Sequence, residues 1–98
     1  MFIKIHKAYR DVVAVCDSEL LGKYFEQGVA VLNVRENFYN GEQKSSEEMV
    51  ELLEDLSKED STFSIVGPES VKCALKAGII SEEGVKHVQG IPFALVLL

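Results

Sequence analysis

An acidic amphipathic helix over residues 46–57 is the feature that most constrains how this chain can fold. Ser45 and Glu48 have the spacing of a capping box, in which each side chain bonds a free backbone amide of the other at a helix start. The apolar residues that follow recur at helical spacing and share one face: Met49, Val50, Leu52, Leu53 and Leu56. A helix with one apolar face is buried against another element, so a sheet is expected beside it.

Strand-like segments lie on both sides of this helix. Alternating apolar residues predict an antiparallel hairpin of residues 2–7 and 11–16. The run 29–34 is apolar nearly throughout, which is typical of a central strand covered on both faces. We expect it to pair in parallel with a strand over residues 63–66, with the acidic helix in the connection between them.

Two more helices are predicted from local signals. Residues 18–27 place Leu20, Leu21, Tyr24 and Phe25 on one helical face, with Asp17 as the N-cap and Gly28 as a left-handed stop. Residues 68–77 begin at Pro68, which suits a first helical turn, and end before Gly78.

The end of the chain reads as a weak strand over residues 84–89, a bend at 90–92 and a closing apolar strand, FALVLL. The element order is therefore β-β-α-β-α-β-α-β-β. This order predicts an α/β protein, with α+β as the alternative: one compact domain spanning residues 1–98, with a mixed sheet and about three helices.

The chain carries no sequence signal for a membrane. The final apolar run is too short to span a bilayer, and the first residues lack a signal-peptide pattern. We expect a cytoplasmic protein.

The net charge of −6 comes from one region. Residues 45–62 hold seven acidic residues against Lys58, and the rest of the chain is neutral. The low pI therefore describes one helix and the loop that follows it. It weakens the case for nucleic-acid binding but does not exclude it.

The cysteines and histidines indicate neither a metal site nor a cofactor. Cys16 and Cys73 belong to no Cys-x-x-Cys pair, and neither His6 nor His87 lies within five residues of a cysteine. We interpret both cysteines as buried thiols. An alternative, a small thiol or hydrolytic enzyme, would use Cys16 with His6, because the two lie on neighbouring strands of the first hairpin.

The segment NVRENFYNGE, residues 33–42, concentrates amide, cationic and aromatic side chains between two elements. Arg35 can fork onto a phosphate, and Phe38 or Tyr39 can stack a base. The other interpretation is an ordinary turn at Asn40-Gly41, with the aromatic residues packed on the core and Arg35 paired with Glu36 or Glu42. The candidate ligand-binding residues are Lys23, Asn33, Arg35, Glu36, Phe38 and Tyr39.

Two other surfaces are candidates. The acidic face of helix 46–57 could bind a basic protein, although such faces are commonly only solvated; its candidate residues are Glu47, Glu51, Glu54 and Asp55. The start of helix 68–77 could attract an anion, but one glycine does not make a phosphate loop, so a structural turn is favoured there.

Several segments together resemble a known family: CDSELLGKYFEQG, LNVRENFYNGE, FSIVGPESVKCALKAGII and GIPFALVLL. They are similar, over nearly the whole chain, to a mainly archaeal family designated domain of unknown function 424. The resemblance implies an archaeal, cytoplasmic, stand-alone domain and supplies no reaction. Members often carry histidine where this chain has Phe93, so a catalytic role of that position does not carry over.

The sequence thus favours a binding protein without catalytic activity, with RNA or a ribonucleoprotein of the translation machinery as partner. One alternative is a protein–protein adaptor or homodimer that uses the acidic helix or the exposed edge of the C-terminal strand. The thiol enzyme is the second alternative.

Overall fold

The computed structural model describes residues 1–97 and contains the following elements. The strands are β1 (Phe2–His6), β2 (Asp11–Cys16), β3 (Tyr24–Gln27), β4 (Ala30–Asn33), β5 (Glu42–Gln43), β6 (Ser61–Val66), β7 (Lys86–Val88) and β8 (Ile91–Val96). The α-helices are α1 (Glu36–Tyr39), α2 (Ser46–Leu56) and α3 (Pro68–Ala77), and short 3₁₀ helices cover Ser18–Leu20 and Glu82–Gly84.

Six strands form one mixed sheet in the order β5-β1-β2-β6-β8-β7. The predicted hairpin of β1 and β2 is confirmed, with Phe2 opposite Cys16 and His6 opposite Val12. The parallel pair is β2 with β6, so the prediction that residues 29–34 would pair with 63–66 is wrong. The mixed sheet with three helices in the described range confirms the predicted architecture, in its α+β form.

Each face of the sheet is covered by a different layer. Helices α2 and α3 pack on one face, where Met49 and Leu53 join Val13, Val15 and Ile65 in an apolar cluster. The other face carries β3, β4 and α1. Its buried apolar cluster consists of Ala14, Cys16, Leu20, Leu32, Val34, Tyr39, Val66 and Val88. The acidic helix and the segment 33–42 therefore lie on opposite sides of the sheet.

The predicted helix over residues 18–27 is wrong. Only Ser18–Leu20 forms a helical turn, and Tyr24–Gln27 is strand β3, which pairs with β4 as a separate two-stranded hairpin. Gly22 interrupts the helix with a φ of +83°, which side chains other than glycine rarely adopt. From Tyr24 onward the side chains alternate between the two faces of this hairpin, which is strand periodicity.

The interpretation of residues 29–34 as a central strand covered on both faces is also wrong. Strand β4 pairs only with β3 among the described strands and lies across the face of the main sheet. Leu32 and Val34 point into the core, whereas Val29 and Val31 are exposed. High apolar content here reflects one buried face and one exposed apolar face.

The two long helices begin and end as predicted. The Ser45 hydroxyl accepts from the Glu48 amide, and the Glu48 carboxylate accepts from the Ser45 amide. Helix α3 ends at Gly78, which is left-handed. The predicted positive-φ turn at Asn40-Gly41 is wrong: neither residue has positive φ, and glycine is needed because a Cβ at Gly41 would lie 2.1 Å from the Ile3 carbonyl oxygen.

Asp17 caps a helix, but not the one that follows it in sequence. Its side chain makes no capping bond to Ser18–Leu20. Instead the buried carboxylate accepts hydrogen bonds from the amides of Glu69 and Ser70, at 3.0 and 2.8 Å, and from the Ser70 hydroxyl at 2.7 Å. The start of α3, considered above as an anion site, is thus occupied by a carboxylate of the chain itself.

The C-terminal strand is only partly an edge. β7 pairs with β8 over Ile91, Pro92 and Phe93, so this half of β8 is internal, against our expectation of an exposed edge. Beyond Phe93 the described residues of β8 pair only with β6. The last residue of the predicted strand FALVLL, Leu98, lies outside the described residues.

We expect Asp17→Ala to destabilise the fold by roughly 3 to 4 kcal/mol, because it leaves two amides and a buried hydroxyl unpaired. Asp17→Asn, which keeps one acceptor oxygen for Ser70, should cost roughly half as much. Urea unfolding followed by circular dichroism measures both values. A loss for Asp17→Ala no larger than that of an exposed surface substitution would contradict this role.

Candidate functional site

The candidate site is built around a β-bulge where the hairpin begins. The Gly22 amide donates to the Val34 carbonyl at 2.7 Å, and the Val34 amide donates to the Lys23 carbonyl at 2.9 Å. Two residues therefore oppose one, and the left-handed Gly22 in the first position is typical of a glycine bulge. Bulges can re-aim the side chains beside them, and Lys23 occupies the second position of this bulge, exposed to solvent.

The outer face of the hairpin presents an aromatic residue that sequence reasoning assigned to a buried helix face. Tyr24 is 55% exposed and stands directly opposite Asn33. Its hydroxyl donates to Glu26 at 3.3 Å, and that carboxylate raises the pKa of Tyr24. The phenol ring is thus neutral, exposed and beside a side-chain amide. The signal for it was the period-two alternation of residues 24–27.

Arg35 lies two residues beyond the end of β4 and is exposed, with no acidic partner among the described residues. Within residues 1–97, no carboxylate lies within ion-pair distance of its guanidinium. The alternative in which Arg35 pairs with Glu36 or Glu42 is therefore wrong. Glu42 pairs with Lys44 at 3.2 Å, and the Glu36 carboxylate folds back so far that a Cβ at Gly22 would lie 3.3 Å from it.

The two aromatic residues of α1 mainly hold the site in place. Tyr39 is 5% exposed, and its hydroxyl lies 2.7 Å from the Ser64 hydroxyl; burial raises its pKa. Phe38 is half-buried, stacks on His6 with ring centroids 4.7 Å apart, and meets Tyr39 edge-on. The structure places Tyr39 in the core, so we leave it out of the contact surface.

Of the sequence candidates, Lys23, Asn33 and Arg35 are exposed at the same end of the β3–β4 hairpin, where Tyr24 stands opposite Asn33. We call Lys23, Tyr24, Asn33 and Arg35 the hairpin corner. It is held on the sheet from beneath by Phe25 and Leu32, which pack toward Val88. The turn between β7 and β8 holds it from the side, because the Gln89 side chain donates to the Glu26 carbonyl at 2.7 Å.

The acidic candidates lie on the far side of the sheet from this corner. Glu47, Glu51, Glu54 and Asp55 are all exposed on α2. Glu47 and Glu51 line a groove of about 360 Å³ between α2 and α3, and Lys72 and Lys76 line the same groove from α3. The negative charge of the acidic face is therefore partly offset by lysines. Asp55 also lies 3.8 Å from Lys58.

Cys16 and His6 are not brought together. His6 pairs with Val12, four residues before Cys16, which separates them by about 13 Å along the strand. The His6 Nε2 atom lies 2.8 Å from the Phe38 carbonyl and must carry hydrogen, since a carbonyl only accepts. Burial raises the pKa of Cys16 to about 11, the opposite of an activated thiol.

Residues 1–97 contain neither a candidate metal site nor a membrane-spanning helix. No group of three or more histidine, cysteine, aspartate or glutamate side chains is arranged so that it could hold a metal ion. None of the helices in this range is long and apolar enough to cross a membrane.

We expect Arg35→Ala to change the free energy of unfolding by less than about 0.5 kcal/mol, because the side chain is exposed and has no ion-pair partner within residues 1–97. Tyr39→Phe, in contrast, should cost about 1 kcal/mol, because it leaves the Ser64 hydroxyl unpaired. Denaturant unfolding measures both values. A loss for Arg35→Ala as large as that of Tyr39→Phe would show that Arg35 is structural.

Comparison with known proteins bears on the fold and the family. A crystal structure of an uncharacterized conserved protein from Methanopyrus kandleri superposes with a TM-score of 0.78 at 23% identity, covering 97% of this chain and 88% of that one. This likeness shows a shared fold. Among curated proteins, none matches the sequence. The family model described as "Protein of unknown function (DUF424)" matches residues 6–98. The chain therefore belongs to the DUF424 family.

Proposed function

We propose that this protein acts by binding, without catalysis, and that it binds RNA or a ribonucleoprotein through the hairpin corner. The observation that carries the proposal is Arg35, which is exposed, free of acidic partners in the described chain, and two residues from Asn33. Asn33, two residues before Arg35, stands opposite the exposed ring of Tyr24. A guanidinium without an acidic partner and an exposed aromatic ring at the same end of a hairpin are a combination suited to nucleic acid.

The chemistry of the corner fits single-stranded RNA. The Arg35 guanidinium can bond two phosphate oxygens at once, and Lys23 adds a second cation. The exposed ring of Tyr24 offers a stacking platform for a base, which is sequence-tolerant because every base has a π-face. The Asn33 amide, directly opposite Tyr24, both donates and accepts hydrogen bonds toward base edges.

The distribution of acidic residues also favours binding on the hairpin side of the sheet. The excess negative charge of α2 lies behind the sheet, where it does not face a phosphate backbone docked on the hairpin. Near the corner, the Glu36 carboxylate is folded over Gly22, and Glu26 accepts from the Tyr24 hydroxyl. We also infer a cytoplasmic location, because both cysteines are free and buried, as in reducing compartments.

The alternatives have less support. Docking of a basic protein on α2 meets Lys72 and Lys76 in the same groove as the acids. A thiol enzyme built on Cys16 does not have His6 as its base, because His6 is bonded to Phe38 at the other end of the strand.

The proposal is tested by pull-down of the tagged protein from native-type lysate, divided into nuclease-treated and untreated halves. We expect RNA to co-purify in the untreated half and any ribosomal proteins to be lost with nuclease. The same protein should bind a fluorescent oligo(U) with an affinity that falls steeply as salt rises.

Arg35→Ala should weaken that binding and reduce the slope of log affinity against log salt concentration by about one. Tyr24→Ala should weaken the binding by roughly 1 to 3 kcal/mol, because the stacking platform is lost. The matched control is Arg10→Ala, which removes the same charge from an arginine that bonds Asp60 at 3.1 Å. Equal losses for Arg35→Ala and Arg10→Ala would indicate a net-charge effect, and a partner that survives nuclease would contradict RNA as the ligand.

A further inference from the structure

The outer side of the last strand carries unpaired backbone and exposed leucines together. β7 stops at the pair Lys86–Phe93, so no described strand lies on the outer side of Leu95 and Leu97. They are 60% and 78% exposed, among the most exposed large apolar side chains of the described chain. A bare strand edge with apolar side chains is a template for pairing with another strand.

The ladder shows which peptide groups are available. The Gly67 amide donates to the Pro92 carbonyl at 2.8 Å, so Gly67 and Pro92 form a hydrogen-bonded pair of the antiparallel ladder. Such pairs alternate along a strand, which turns the peptide groups of Ala94 and Val96 toward β6. The peptide groups of Leu95 and Leu97 therefore point outward.

We propose that β8 pairs antiparallel with β8 of a second copy of this chain, so that two sheets join into one across a two-fold axis at Val96. In this register, Leu95 lies opposite Leu97 of the partner subunit on both sides of the axis. Each of these pairs exchanges two backbone hydrogen bonds through the outward-pointing groups. An axis at Leu95 would instead set Leu97 against Phe93, whose outward groups are already bound to β7.

A second copy fits this edge better than a charged partner does. Residues 91–97 contain no charged side chain, although the whole chain has a net charge of −6. Two copies thus meet where their mutual repulsion is least. The pairing is also closed, because an antiparallel strand pair related by a two-fold axis uses the same segment twice and leaves no free edge there.

The leucines gain side-chain contacts in the same register. Leu95 is on the hairpin side of the sheet, as is Phe93, which packs against the hairpin-side cluster. Cross-strand apolar pairs contribute to sheet stability, and here they form between leucines that are otherwise exposed to water. Since the axis is perpendicular to the sheet, both hairpin corners lie on one side of the dimer. Joint use of those corners rests on the proposed function, whereas the pairing itself does not.

The test is the mass of the whole chain by analytical ultracentrifugation over a range of concentrations, in nuclease-treated protein so that RNA plays no part. We expect a dimer of about 22 kDa, twice the 10.9 kDa of the chain. Leu95→Lys combined with Leu97→Lys sets like charges opposite each other and should weaken association by roughly a hundredfold. The control is Val29→Lys with Val31→Lys, which changes two exposed valines of the β3–β4 hairpin and should leave the mass unchanged.

Cysteine cross-linking tests the register separately. Val96→Cys places two thiols on a non-hydrogen-bonded pair with Cα atoms about 4.5 Å apart, within the range for a disulfide, so mild oxidation should link the two copies. Leu95→Cys places them about 8 Å apart and should link poorly. The native Cys16 and Cys73 are buried. A monomer at high micromolar concentration, or equal linking by both variants, would overturn the proposal.

Discussion

The carboxylate of Asp17 is the interaction on which the rest of the structure depends. It sits at the end of β2, and its own amide donates to the Val66 carbonyl at 3.1 Å. Its oxygens then take the first free amides of α3. One buried side chain therefore fixes the end of both parallel strands and the start of a helix. Gly67 has to be glycine, because a Cβ there would lie 2.4 Å from the Asp17 Cγ.

From this point the chain divides its work between the two faces of the sheet. Residues after Asp17 cross to the face that carries the hairpin and α1, while α3 is held with α2 on the opposite face. The chain thereby places its acidic helix behind the sheet. In front of the sheet lies Arg35, which has no acidic partner in the part of the chain that the structure describes. The overall composition is acidic, so a surface that carries a cation away from the acids depends on the topology and not on the composition. A binding surface for anions on an acidic protein requires such a separation.

The sequence predicted those elements whose signals are local. Helices 46–57 and 68–77 have their caps, apolar stripe and stops within a few residues of each other. Residues 18–27 are the exception. Leu20, Leu21, Tyr24 and Phe25 satisfy helical spacing, but the left-handed Gly22 and the partner strand β4 decide the structure. Propensity is weak against such tertiary pairing.

The candidate site was predictable in part for the same reason. Lys23, Asn33 and Arg35 could be selected from residue type and loop position. Tyr24 was missed, because its exposure depends on a hairpin with β4, and the turn of this hairpin lacks the Asn-Gly pair that would predict it. The burial of Tyr39 depends on Ser64, which is 25 positions away. The role of Asp17 depends on Ser70, 53 positions away, and no local pattern encodes such a contact.

The claim that RNA binds on the hairpin side of the sheet, away from α2, is tested most directly by backbone hydrogen exchange of the protein with and without bound RNA. The account predicts slower exchange across residues 22–35, where β3, β4 and Arg35 meet the ligand, and unchanged exchange in α2. Slower exchange in α2 with an unchanged hairpin would contradict it, because the acidic helix would then be the contact surface.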